Sequence, residues 1–161
     1  MKKYNYQPAA FLTMVLLLSA ILFSFTKKTA ETVFGGEGFE IYLNNKLVLQ
    51  QFGSKMNEVK NISLNQTDGN GELAIRYFHC GQPGKSRVVT IKDETNVVLK
   101  EWRFGDTKTA DAKLCCNVKD ILALPKIKAG KKVSLYYTST ELPGGRKLAI
   151  LTTNDNSQVQ P

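Results

Sequence analysis

The chain has 161 residues, 42% hydrophobic and 22% charged, and its 22 Lys and Arg against 14 Asp and Glu give a formal charge of +8. That length suits one domain and is too short for a (β/α)8 barrel at about 250 residues, while the composition is too apolar for wholesale disorder. Four cations, Lys2, Lys3, Lys27 and Lys28, flank one apolar segment, so the remainder carries only +4, an ordinary balance for a globular domain.

The first element is an uncharged run of 17 residues from Ala9 to Phe25, preceded by Lys2 and Lys3. A basic start followed by an apolar stretch has the form of a secretory signal. The run is longer than the usual signal core of about 7–15 residues and reaches the ~17 minimum of a membrane span. Residues 1–30 therefore read as an N-terminal apolar signal helix that is cleaved, or as an uncleaved anchor held by residues 9–25. A buried helix of the fold is the third reading. Ala30 could end a signal, but Lys28 sits where a small residue is favoured, and cations after the run resist translocation. Signal and anchor both place the remainder outside the cytoplasm, as a periplasmic or secreted protein. Residues 31–37 read as a linker.

From Gly38 onward the period is two. Phe39, Ile41 and Leu43 alternate with Glu40 and Tyr42, and Asn44-Asn45 predicts a two-residue hairpin into the Leu47–Gln50 run. Val59–Leu64 and, across Asp68-Gly69-Asn70-Gly71, the Leu73, Ile75, Tyr77 alternation follow. Arg87–Lys92 and Val97–Phe104 form a hairpin over Asp93–Asn96, and Val133, Leu135 and Tyr137 pair with Leu148–Thr152 across Pro143-Gly144-Gly145. One segment breaks the period: Val118, Ile121 and Leu122 at helical spacing, with Asn117 placed to cap and Pro125 to stop it. The expectation is all-β: an antiparallel β-sandwich of seven or eight strands, Ig-like or jelly-roll-like, over residues 38–152 with one short helix. Residues 153–161 are polar and unpatterned and read as a disordered tail.

The three cysteines carry the most information. In an exported chain of this size, Cys80 and a cysteine about 35 residues on are expected to form a disulfide, worth roughly 3–4 kcal/mol. Cys115 and Cys116 point to opposite faces of an extended segment, so only one can meet Cys80. Cys116 is favoured by sharing the parity of Leu114, which leaves Cys115 as the odd thiol, buried and inert or linking two copies of the chain. The sharper alternative is a soft-metal or redox site of His79, Cys80, Cys115 and Cys116, since thiolates and imidazole suit Cu(I) or Zn. Neither cysteine pair has the C-x2–4-C spacing that such a site favours, and there is no C-x-x-C.

His79 is the only histidine, so a Ser-His-Asp or Cys-His arrangement would have to run through it. Ser63 and Ser86 lack a G-x-S-x-G context, and a strand-end histidine bonded to backbone is the plainer expectation. Asp93-Glu94 reads as a turn, and Glu40, Glu72 and Glu101 take the polar parity of their strands. Gly35-Gly36-Glu37-Gly38 precedes a strand and so is no phosphate cradle, and Asp68–Glu72 lacks a full calcium-ligand series. Gly81–Lys85 is a turn, and Asn61 and Asn65 are glycosylation acceptors only on a eukaryotic secretory route. Lys126, Lys128, Lys131 and Lys132 cluster near Tyr136 and Tyr137, and Trp102-Arg103-Phe104 is a second mixed patch. Solvated lysines and core aromatics are the expectation for both, with contact to anionic lipid or glycan as the further use.

The stretches FEIYLNNKLVLQQFG, HCGQPGKSR, VKDIL and ELPGGRKLA resemble those of uncharacterised small exported β-rich proteins of the Bacteroidota kind. The resemblance implies pairing of Cys80 with Cys116 and periplasmic or secreted placement, and Cys115 departs from its pattern. No activity comes with it. The expected function is a non-enzymatic binding or structural module of the cell envelope, without cofactor or nucleic acid. Its partner would be an envelope protein, a glycan or an anionic membrane surface, with homodimerisation through Cys115 as a further possibility. Metal or thiol-redox handling and a hydrolase with an unresolved site are the alternatives.

Overall fold

Alternation of period two demands that each strand bury one row of side chains. In the computed structural model, which describes Met1, residues 36–110 and residues 112–154, an all-β body of two sheets meets that demand. The expected signal or anchor, residues 31–35 of the linker and the tail after Asn154 lie outside the described residues.

The first sheet has the order β2 (Lys46–Phe52), β1 (Gly38–Leu43), β4 (Glu72–Phe78), β7 (Leu114–Asn117), with every neighbour antiparallel. The second runs β3 (Lys60–Leu64), β9 (Leu142–Thr153), β8 (Val133–Ser139), β5 (Arg87–Lys92), β6 (Val98–Phe104). Here β3 pairs with β9 in parallel and the other neighbours are antiparallel. Inward residues of both sheets, among them Phe39, Ile41 and Ile75 from the first and Leu64, Ile91 and Leu135 from the second, form one buried cluster.

The expectation of seven or eight antiparallel strands needs correcting in three places. The described residues hold nine strands, the ninth being the cysteine segment β7. β3 pairs with β9 in parallel, against the antiparallel expectation, and a 3-10 turn, Gln66–Asn70, carries the chain from this second sheet to the first. Pro143-Gly144-Gly145 lies inside β9, where these three residues oppose the single Thr138 between the pairs Tyr137↔Arg146 and Ser139↔Leu142. A proline, which lacks an N–H, is tolerated at such an irregularity. The connection between β8 and β9 is Thr140-Glu141.

The Asn44-Asn45 hairpin forms as expected: both residues have positive φ, 52° and 64°, between the pair Leu43↔Lys46. Beyond it a register shift between Ile41 and Tyr42 sets Tyr42 opposite Leu47 and Ile41 opposite Leu49. Leu47 thereby lies on the outer face and is 44% exposed, while Gln51, opposite Phe39, is buried and donates from Nε2 to the Glu58 carbonyl at 2.7 Å. A one-residue bulge is enough to exchange the two faces.

The expected helix, α1 (Val118–Leu122), buries Val118, Ile121 and Leu122; Asn117 precedes it but its side chain makes no capping hydrogen bond. Pro125 ends this helix and opens a second, α2 (Pro125–Lys128), where its fixed φ suits the first turn. Two short helices therefore stand where one was expected.

Candidate functional site

The inward row of β4 ends in Tyr77 and, just beyond the strand, His79; the inward row of β8 ends in Tyr137 and Ser139. These rows meet at one end of the core, where the Tyr77 and Tyr137 rings stack with centroids 4.4 Å apart and the His79 ring lies 4.7 Å from Tyr77. His79 Nε2 is 2.9 Å from the Tyr137 hydroxyl and 3.3 Å from Ser139 Oγ. The Leu142 N–H donates to Ser139 Oγ, which leaves the serine proton free for Nε2. That network fits a neutral imidazole protonated at Nδ1. Burial lowers the His79 pKa, against smaller opposing effects of Glu141 and then Glu37, and Arg87 adds the least, in the same direction as burial. Alongside, the Tyr77 hydroxyl donates to Glu37, and Arg146 donates to both, from Nε to Tyr77 at 3.0 Å and from its terminal nitrogen to Glu37 at 3.3 Å. Burial, then the bond to Glu37, raises the Tyr77 pKa.

Chemically, this cluster answers itself. Ser139 is 5% and His79 8% exposed, and among the described residues no carboxylate bonds the imidazole to orient it as a base. His79 is at a strand end as expected, but its partners are side chains of the facing sheet, not backbone. Glu37, assigned to the linker, is part of the cluster.

The cysteines fall apart from it and from one another. β7 pairs with β4 so that Cys116 lies opposite Leu73 and Cys115 opposite Ala74. Cys80 is seven residues from Leu73 along the same chain, roughly 23 Å at ~3.3 Å per residue, whereas a disulfide needs Cα atoms within about 7 Å. The expected Cys80–Cys116 bond is accordingly not formed, and all three thiols are free. Cys80 sits on an exposed turn with φ 51°, Cys116 is in the core with its thiol pushed up to about 12 by burial, and Cys115 is exposed on β7. Burial, then the neighbouring Glu72, raises the Cys115 pKa. The four donors of the metal or redox alternative are thus not brought together, and no group of three or more His, Cys, Asp or Glu among the described residues is placed to hold a metal ion.

Other singled-out residues take structural places. Asp68 accepts from the Asn65 N–H at 2.8 Å and from Asn44 Nδ2 at 3.1 Å, closing the 3-10 turn. Asp93 accepts from the Thr95 hydroxyl and N–H and from the Val97 N–H, which hold its carboxyl below the usual range. Lys126 pairs with Asp93 and Glu94, Tyr137 is fully buried, and Trp102 and Phe104 pack partly on the core. Tyr136 faces outward with the ammonium groups of Lys92 and Lys147 at 4.6 and 5.5 Å from its ring. Glu40, on the polar parity, is nonetheless buried and accepts from Tyr42, Gln50 and Arg76.

At the opposite end of β4 lies an open cleft of about 270 Å³ between the 3-10 turn and the two helices, lined by Gln66, Asn70, Lys119, Leu122 and Lys128 among others. Its walls are fixed. Asn44 bridges Asp68 and the Glu72 N–H, and the Val118 N–H donates to the Gly71 carbonyl at 3.1 Å. A Cβ at Gly71 would overlap the Asn44 amide, so a larger residue there has to displace Asn44 from its bonds to Asp68 and Glu72. Sequence reasoning placed Lys128 in a solvated cluster and missed Lys119; what joins them is the crossing of the chain between sheets, which no local pattern announces.

Among the described residues no helix is long and apolar enough to cross a membrane. No protein-family model matches the chain, and no curated protein matches it.

Proposed function

We propose that the chain is an exported, non-enzymatic binding module of the cell envelope, built on a β-sandwich whose two layers are the two sheets. The stacking of Tyr77 on Tyr137, one from each sheet, and the single core fed by both support the sandwich. The uncharged run from Ala9 to Phe25 behind Lys2 and Lys3, together with the resemblance to exported Bacteroidota proteins, supports export.

One observation carries the binding reading. The reactive-looking groups at His79 are closed on one another, while the lysines of the cleft are exposed and have no carboxylate partner among the described residues. The test is a turnover screen of the purified full-length chain against esters, glycans and peptides, beside His79→Ala. The expected result is no activity above background. Turnover lost in His79→Ala would replace the binding module with a hydrolase. Export is tested by the intact mass of the protein recovered from its own compartment, expected about 25–30 residues short of full length.

A further inference from the structure

We propose that the cleft between Gln66–Asn70 and α1 binds a phosphomonoester carried on a polyol, either a free sugar phosphate or the headgroup of a lipid. This rests on the binding-module reading and names its ligand class. Lys119 and Lys128 approach from different helices, and neither has a carboxylate partner among the described residues. Two neighbouring cations are answered, Lys126 by Asp93 and Glu94 and Lys100 by Asp120 at 3.3 Å. Two ammonium groups match the charge of a phosphomonoester, about −1.5 to −2 near neutral pH. Lysine, a compact charge with rotatable donors, suits a tetrahedral group met from two sides; a planar carboxylate favours the arginine fork. The amides of Gln66 and Asn70 can serve the hydroxyls of a polyol, and Leu122 offers an apolar edge to its carbon face. The cleft's 270 Å³ holds only a small headgroup.

No lining side chain is acidic. The one carboxylate of the turn, Asp68, is held by Asn65 and Asn44. Because Asn44, Gly71 and Val118 tie the 3-10 turn to the start of α1, the ordering that accompanies binding falls mainly on the two lysine side chains.

The test is calorimetric titration of the full-length chain in non-ionic detergent with glucose 6-phosphate, with glucose, and with mixed micelles doped with phosphatidylinositol 4-phosphate. The expected result is saturable binding of glucose 6-phosphate or of the doped micelles, and none of glucose. Lys119→Ala and Lys128→Ala should each weaken it about tenfold, the usual worth of a charge-assisted hydrogen bond. Lys131→Ala with Lys132→Ala removes charge nearby, outside the lining, and should leave affinity within about twofold. Binding of the sugar phosphate identifies a free ligand; binding of the micelles alone, with the same dependence on Lys119 and Lys128, identifies a lipid. Failure of both, or equal loss in the Lys131/Lys132 variant, overturns the proposal. His79-dependent turnover with cleft binding intact would overturn the binding-module reading alone.

Discussion

At the Phe78 end of β4, Tyr77 and His79 meet Tyr137, Ser139, Glu37 and Arg146, and each polar group finds its partner inside the protein. At the Glu72 end, the walls of the cleft are tied by Asn44 and Val118, yet the lysines above them point to solvent. One strand thus joins a closed polar end to an open one. Residue types that suggest catalysis can be used up in holding two sheets together, while the recognition proposed above rests on side chains with no reactive signature.

The contrast predicts opposite responses to truncation. Tyr137→Ala removes a fully buried ring stacked on Tyr77 and should lower the unfolding free energy by about 3–5 kcal/mol in denaturant titrations. Gly71→Ala should cost about 1–2 kcal/mol, because the new methyl displaces Asn44 from Asp68 and Glu72; a loss below ~0.3 kcal/mol would mean that Asn44 moves aside freely. Tyr137→Phe keeps the ring and removes one hydroxyl, so about 1 kcal/mol is expected. Lys119→Ala and Lys128→Ala should stay within ~0.5 kcal/mol of the parent, and a larger change would show that the open end is structural after all.

Acid and thiol chemistry sharpen the same comparison. Burial lowers the His79 pKa, so the unfolded chain binds the extra proton first. Stability from this group is complete above the ordinary value of 6.5 and declines as pH falls below it. His79→Gln should remove that part of the pH profile of the melting temperature. Under native conditions, Cys80 should react with a thiol reagent first, Cys115 more slowly because burial and Glu72 favour its protonated form, and Cys116 only on unfolding; a Cys80 as slow as Cys116 would contradict its exposed position. If Cys115 links two copies, Cys115→Ser should abolish the dimer band on a non-reducing gel.

Parity made much of this legible in the sequence. Phe39 and Ile41, Leu73 and Ile75, and Val133 and Leu135 are each inward as their alternation requires, and the Asn44-Asn45 and Asp93–Asn96 turns were visible from residue chemistry. The same parity runs on to Tyr77, His79, Tyr137 and Ser139, so each could be assigned to the core. What alternation does not contain is that β4 and β8, in different sheets, would face each other there. It is equally blind to bulges: one extra residue on β2 set Leu47 on the outer face while Leu49 and Gln51, of the same parity, stayed opposite Ile41 and Phe39. The disulfide expectation failed for a related reason. Sequence separation suggested a loop worth closing, but direct pairing of β7 with the start of β4 set Cys116 a full strand length from Cys80.

The parallel pairing of β3 with β9 joins residues 60–64 to residues 149–153, close to the end of the described chain. A growing polypeptide can build the β1–β2 hairpin early, but its second sheet keeps β3 without a partner until residues 149–153 have emerged. Such late closure makes for slow folding and a long-lived exposed edge. Removing β9 would strand β3 and uncover β8 together, so the last dozen residues of the fold decide whether the protein completes itself or seeks its missing strand in another molecule.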